Sequence, residues 1–357
     1  MKNTRFLIAS GGTGGHFYPG FALGKALQAQ GNKVLFVVRQ NDPAISTISA
    51  NGLCYEQIDL MGLPRSVNPV KHIRFVGKLI KSLKQTRRII KTFQPDVTLG
   101  MGGYVSFPLI FCSHFMGIKT AVHESNTIWG LSNRICATFA NLRLMGLPMQ
   151  KTFKNAVLSS TPIRTEFSQP ISRQEVLAQL GLKADVPTVL IVGGSQGAKG
   201  LNEALPQVIK NTPKWQFIHL TGKRWYEAQQ TAYQGLLNVK TLAYSEEIYK
   251  LMKAVDLMIC RSGASTLAEV IACHLPAILV PFPHAAANHQ YFNAKVLADG
   301  GCARIVLEGP QLASQLQEAL ATITSDRLAQ MRQAYDKLNV PDPLEATQRI
   351  TDLLIQL

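Results

Sequence analysis

Along the first half of the chain, apolar residues fall into short unbroken runs, and the stretches between them carry apolar residues at every third or fourth position. The runs at 5–10, 34–38, 97–100 and 119–123 are too short for helices and lack the polar alternation of a half-exposed strand. They read as strands buried on both faces. The helical period in between predicts helices over about 18–30, 43–51, 71–93, 104–116 and 127–140. Strand and helix in alternation predict a parallel sheet covered on both sides, the α/β class. The second half begins the pattern again with Thr188-Val189-Leu190-Ile191-Val192, followed by candidate strands at 215–220, 238–241, 256–260, 277–282 and 303–307. Residues 161–170 carry two prolines and no period and read as a linker. With 357 residues to place, the expectation is two Rossmann-like domains facing across a cleft, 1–162 and 163–340, and a last helix, 341–357, crossing back to the first domain.

Both halves open on a strand, a glycine turn and a helix. Gly11-Gly12-Thr13-Gly14-Gly15-His16 follows the first run, Gly193-Gly194-Ser195-Gln196-Gly197-Ala198 follows 188–192, and Gly100-Met101-Gly102-Gly103-Tyr104 is a further turn of the same kind. Glycines let backbone approach a phosphate, and a helix N-terminus adds N–H groups and partial positive charge. The first turn lacks the third glycine of the dinucleotide fingerprint, Arg39 rather than an acid follows the second run, and no Gly-Lys-Ser/Thr is present. Neither an NAD site nor a Walker A loop is implied. A turn that only packs is the alternative, but four glycines and a histidine in six residues argue against it. Ligands of parallel sheets bind beyond the carboxyl ends of the strands, so His16, the 100–104 turn and His123-Glu124-Ser125-Asn126 should line one crevice. His123 and Glu124, beside the strand end, read as structural hydrogen-bonding partners, and Asn126 as the ligand candidate.

Composition narrows the class. Apolar residues make up 46% and charged residues 17%, a globular profile. No apolar run is long enough to span a bilayer, and the short one behind Arg5 runs into the glycine turn, which argues against a signal peptide. The six cysteines are scattered without a Cys-x-x-Cys, so no zinc site or disulfide framework is suggested and a reducing cytoplasm fits. The net charge of +15 admits nucleic acid, an anionic membrane or an anionic substrate. Lys71, Arg74, Lys78, Lys81, Lys84, Arg88 and Lys91 step along 71–93 as one stripe, opposite Ile73, Val76, Ile80, Leu83, Ile90 and Phe93. Such a helix either packs its apolar face on a sheet or lies on a membrane surface. A nucleic-acid groove would want exposed aromatics or a known module, and neither is present.

In the second half, Arg261-Ser262-Gly263-Ala264-Ser265-Thr266 follows a strand and starts a helix containing Glu269, a second anion cradle with a carboxylate one turn in. Asn288-His289-Gln290 and Asn293 open the next helix with amides suited to neutral hydroxyls. No Asp-x-Asp pair is present to hold a divalent metal, so no motif requires a cofactor. A leaving diphosphate supported by helix N-termini and hydroxyls points to a nucleotide-sugar glycosyltransferase. A hydrolysing epimerase of the same fold would want carboxylates around the donor sugar instead.

In this setting GGTGGHFYPG (11–20), GMGGYVSFP (100–108), HESN (123–126), TPIR (161–164), GGSQGA (193–198), CRSGASTLAE (260–269) and PFPHAAANHQYFNA (281–294) resemble, in order and essentially end to end, the MurG family of bacterial peptidoglycan glycosyltransferases of GT-B architecture. The resemblance implies inverting transfer of N-acetylglucosamine from UDP-N-acetylglucosamine to the C4 hydroxyl of the muramoyl sugar of lipid I, giving lipid II. The first domain would take the acceptor and face the anionic inner leaflet through Lys71, Arg74, Lys78, Lys81 and Lys84, at the cytoplasmic side of the membrane. The second would hold the donor. Thr13, Gly14, Gly15 and Asn126 would meet the donor sugar, and Arg164 and Ser195 the nucleotide and diphosphate. Ala264, Ser265, Thr266, Leu267, Ala268 and Glu269 would hold diphosphate and ribose, Gln290 the sugar hydroxyls and Ser245 the uracil. The 244–247 and 284–289 loops depart from the family pattern. His16 is the candidate general base, since an imidazole suits removal of a hydroxyl proton near neutral pH. Other cell-wall enzymes are expected partners; nucleic acid is not.

Overall fold

The computed structural model describes residues 3–12, 14–64, 67–194 and 196–357. Thr13 and Ser195, both expected at the donor site, lie outside the described residues. The chain divides into two compact units, Met1–Arg164 with Val340–Leu357, and Thr165–Asn339. The change of unit thus falls two residues after position 162.

The first unit runs β1 (Arg5–Ala9), α1 (Gly14–Ala29), β2 (Lys33–Arg39), α2 (Ala44–Ala50), β3 (Cys54–Ile58), α3 (Pro69–Phe93), β4 (Val97–Gly100), α4 (Gly103–Phe115), β5 (Lys119–Glu124), α5 (Leu131–Ala137), β6 (Leu142–Met145) and β7 (Ala156–Leu158). Its strands form one parallel sheet in the order β3-β2-β1-β4-β5-β6-β7. Successive β1 side chains feed opposite cores. Phe6 and Ile8 pack with Leu23 and Leu27 of α1, while Leu7 and Ala9 pack with Ile90 of α3 and Leu109 of α4. Each fully buried large side chain contributes about 1.5–3 kcal/mol. Of the three strands the hydrophobic pattern missed, β3 and β7 are the two edges of the sheet and β6 lies beside β7; fewer of their side chains are buried.

The second unit runs α6 (Arg173–Gln179), β8 (Thr188–Val192), α7 (Lys199–Asn211), β9 (Gln216–Leu220), α8 (Tyr226–Ala232), β10 (Val239–Leu242), α9 (Ile248–Ala254), β11 (Leu257–Cys260), α10 (Ala264–Ala272), β12 (Ala277–Leu279), α11 (His289–Asp299), β13 (Ala303–Ile305), α12 (Leu312–Thr322) and α13 (Ser325–Ala334). Its parallel sheet has the order β10-β9-β8-β11-β12-β13. In both sheets the strand order reverses beside the first strand, between β1 and β4 and between β8 and β11. This is the position where α/β sheets bind ligands. The chain then returns to the first unit as α14 (Pro343–Ile355), whose Ile350 and Leu354 are fully buried in the α1 side of that core.

Helix α3 divides along its length. Asn68 caps it by accepting from the Val70 N–H, and Gln94 ends it in a left-handed conformation. Only its second half packs on the sheet. In the first half Ile73, Val76 and Ile80 are 72%, 50% and 50% exposed, so the apolar stripe is not consumed by the core. The basic stripe is not uniform either. Lys78 and Lys81 reach the buried Asp59 carboxylate, at 2.5 and 2.9 Å, whereas Lys71, Arg74 and Lys84 are exposed.

Candidate active site

In the second unit a cavity of about 400 Å³ opens at the carboxyl ends of β8 and β11. One wall is the glycine turn after β8, running through Ala198 and Lys199 into Gly200 of α7; another is Arg261, Gly263 and Thr266; Phe282, Gln290 and Glu308 complete it. Gly197 has φ +75°, and a Cβ there would run into the Thr221 carbonyl, so only glycine lets the two loops close up. Gly263 caps α10 without a side chain, so no capping side chain stands between the first turn of α10 and the cavity. That is the geometry a phosphate needs.

The far wall is held by a short relay. The Arg261 guanidinium pairs with the Glu308 carboxylate, donates to the Val280 and Pro281 carbonyls at 3.1 and 3.3 Å, and lies 5.5 Å over the Phe282 ring. The Phe282 N–H donates to Gln290 Oε1 at 2.9 Å. With its oxygen occupied, the Gln290 amide offers its NH₂ as donor. Ser262 donates to the Gln290 carbonyl at 2.8 Å and accepts at its own carbonyl from Asn293 at 3.1 Å, tying α10 to α11. The Cys260 thiol, just before Arg261, is pushed up to about 12 by burial and has no nucleophilic role.

Among the expected donor residues, Thr266 and Gln290 line this cavity. Ala264, Ser265 and Glu269 share α10 with Thr266. Leu267 and Ala268 bury their side chains in the core, 0% and 3% exposed, so they have only backbone to offer. Ser245 sits in the loop between β10 and α9 and is not part of the cavity wall. Arg164 is the last residue of the first unit before the chain changes unit. Lys199 and Glu308 were not singled out from sequence; Arg261 entered only as the first residue of the 261–266 cradle and Phe282 only within the 281–294 motif. Arg261, Phe282 and Glu308 follow β11, β12 and β13, so the strand-end rule could have found them.

In the first unit, His16 stands in α1 just past the glycine turn. Gly102 has φ +104°, and a Cβ there would come within 2.8 Å of the His16 ring. The imidazole therefore rests directly on the Gly102 and Gly103 backbone. Gly14 and Gly15 are the first residues of α1. Ser10 donates to the His16 and Phe17 carbonyls at 3.0 and 3.2 Å, fixing the helix start. Asp42, 5% exposed, accepts from the Gly12 N–H at 2.8 Å and the Ala44 N–H at 3.1 Å and pairs with Arg39 at 3.2 Å. It pins the first glycine turn from the β2 side, and sequence reasoning missed it.

His123 and Glu124 are structural. His123 is fully buried with Nε2 2.9 Å from the Ser160 carbonyl, so that nitrogen donates, and burial holds the imidazole below its ordinary 6.5. The Glu124 carboxylate accepts from the Asn126 N–H and Nδ2 at 3.1 and 2.9 Å, the Gly130 N–H at 2.9 Å and Asn133 Nδ2 at 3.0 Å. Asn126 is thus aimed by Glu124, and Asn133 Nδ2 also donates to the His123 carbonyl at 2.9 Å, tying α5 to the end of β5. Among the described residues no group of three or more His, Cys, Asp or Glu is placed to hold a metal ion.

Residues 6–144 match the glycosyltransferase family 28 N-terminal domain, and residues 188–346 match the family 28 C-terminal domain. A UDP-N-acetylglucosamine–N-acetylmuramyl-(pentapeptide) pyrophosphoryl-undecaprenol N-acetylglucosamine transferase from Elusimicrobium minutum is 48% identical, covering 99% of both chains. The enzyme of the same name from Desulfitobacterium hafniense is 33% identical over 95% of this chain and 96% of its own. The crystal structure of Acinetobacter baumannii MurG superposes with a TM-score of 0.83 at 30% identity, covering 99% of this chain and 100% of that one.

Proposed function

The chain belongs to glycosyltransferase family 28, and from that premise we infer that it transfers N-acetylglucosamine from UDP-N-acetylglucosamine to the muramoyl sugar of a pentapeptide-bearing, undecaprenyl-pyrophosphoryl acceptor, a step of peptidoglycan synthesis. The observation that carries this is full-length identity of 48% to a curated enzyme of that activity. The second unit's cavity supports the donor assignment. The glycine turn and the α10 N-terminus suit the diphosphate, Glu269 the ribose hydroxyls and the Gln290 amide the sugar hydroxyls. In the reaction the acceptor's C4 hydroxyl oxygen attacks the anomeric carbon. The bond from that carbon to the diphosphate breaks, UDP leaves with the electron pair, and the configuration inverts. The first-turn N–H groups of α10 stabilise the charge that develops on the leaving oxygen, and no metal is required for that role. His16 takes the hydroxyl proton.

The membrane assignment rests on α3. The exposed Ile73, Val76 and Ile80, bordered by Lys71, Arg74 and Lys84, suit an anionic inner-leaflet surface on which a lipid-linked acceptor is presented. No described helix is long and apolar enough to cross a membrane. The decisive experiment is transfer of labelled N-acetylglucosamine from UDP-N-acetylglucosamine to lipid I, run with and without chelator. Labelled lipid II in both arms is expected. Label released as free sugar, with none in lipid, would overturn the reading, and product lost with chelator would overturn metal independence.

A further inference from the structure

The Glu308 carboxylate is out of place at first sight. It lines a cavity otherwise suited to a diphosphate, and a negative charge there opposes the ligand. Its position is nonetheless enforced. Its side chain is 22% exposed and is paired with Arg261, itself 12% exposed. On its other side it presses on α7: a Cβ at Gly200 would come within 2.6 Å of the Glu308 carboxyl carbon, so glycine at the start of that helix makes room for it. Glu308 pairs with Nη2 of Arg261, and Nη1 donates to the carbonyls of 280 and 281. Arg261 is therefore a staple between the ends of β11, β12 and β13 and is not a free phosphate ligand.

We propose that Glu308 is a positioning residue for recognition of the donor's sugar, acting through Arg261 and Phe282 on Gln290. The relay is continuous. Glu308 fixes the guanidinium; the guanidinium fixes the 280–281 carbonyls and underlies the Phe282 ring; the Phe282 N–H holds Gln290 Oε1 and so aims its NH₂. The relay lines the same cavity as the glycine turn and the α10 N-terminus, but its hydrogen bonds end on Gln290 and none of them goes to the backbone groups that take the diphosphate. Loss of Glu308 consequently loosens the grip on the sugar and leaves the grip on UDP. The inference rests on the reading that Gln290 meets the sugar hydroxyls, and the test separates the two.

The full-length enzyme is compared as wild type, Glu308→Gln, Gly200→Ala, Gln290→Ala and the Glu308→Gln/Gln290→Ala pair. The readouts are KM for UDP-N-acetylglucosamine, kcat and the Ki of UDP. Glu308→Gln is expected to raise the donor KM about tenfold, with the Ki of UDP changed less than twofold. Gly200→Ala displaces the carboxylate without changing its charge and raises the donor KM likewise, which keeps the KM arm of the test available if Glu308→Gln folds poorly. Adding Glu308→Gln to Gln290→Ala raises KM no further, because both act on one group. An unchanged KM in Glu308→Gln while Gln290→Ala raises it overturns the relay and leaves the sugar assignment standing. An unchanged KM in Gln290→Ala overturns the sugar assignment itself. A Ki for UDP rising in parallel with KM overturns the proposal in favour of a general wall support, and a lower donor KM in Glu308→Gln shows a repelling charge instead.

Discussion

At the scale of single residues, His16 carries the chemistry in the proposed mechanism. Its ring is seated on Gly102, where any side chain would displace it, so the imidazole is placed by backbone. As general base it contributes about 10²–10⁴-fold. His16→Ala is expected to lower kcat by that order with the donor KM within about twofold, measured by steady-state transfer; nearly full turnover in the variant would remove the base assignment. His16 stood out in the sequence because a histidine in a glycine turn has few structural uses. Asp42 was not. It is three residues past a strand, and only the fold shows that its carboxylate reaches the Gly12 N–H. Glu308 was hidden for a similar reason: an isolated acid after a short strand carries no periodic or motif signal, and its meaning comes from an arginine 47 positions earlier in the chain.

At the scale of elements, most strands were plain from their apolar runs, including β10 and β13 at the edges of the second sheet, but β3 was not, because Cys54–Ile58 alternates polar and apolar residues too weakly to stand out. Helix α3 is the instructive case. Its period correctly marked a helix, but period alone cannot say whether an apolar stripe meets a sheet or solvent. The answer changes along its length, with Ser82, Thr86 and Ile90 buried and the first three turns standing clear. The cations also divide. Asp59, its carboxyl held below the usual 3.8 by hydrogen bonds from Lys78 and Lys81, keeps those two lysines on the protein. Vesicle binding should therefore follow Lys71, Arg74 and Lys84 together with the apolar stripe. Replacing Ile73, Val76 and Ile80 by serine is expected to cut co-sedimentation with anionic vesicles at least tenfold, and Lys71, Arg74 and Lys84 to glutamine to reduce it at low salt. Undiminished binding in both variants would dismiss the membrane face.

At the scale of the whole molecule, the repeated strand–glycine turn–helix opening made the two-unit α/β plan readable, since each half restarts the same period. Each unit also encloses a neutral histidine, which ties stability to pH. Burial pushes His219 down to about 3, and Nδ1 is 2.7 Å from the Tyr233 hydroxyl. Between the ordinary 6.5 and that value the unfolded chain binds a proton that the folded unit refuses, so stability falls as pH falls, by about 1.4 kcal/mol per pH unit and about 2 kcal/mol by pH 5. His219→Gln is expected to flatten the drop in urea midpoint between pH 7 and 5; an unaltered slope would mean that His219 does not titrate with unfolding. The return of α14 bears on biosynthesis. Ile350 and Leu354 complete the core that Phe6 and Ile8 begin, so the first unit to leave the ribosome is the last whose interior can close. Throughout translation of Thr165–Asn339 it waits with an open apolar seam on α1, and the later-made unit is the one that can finish folding first.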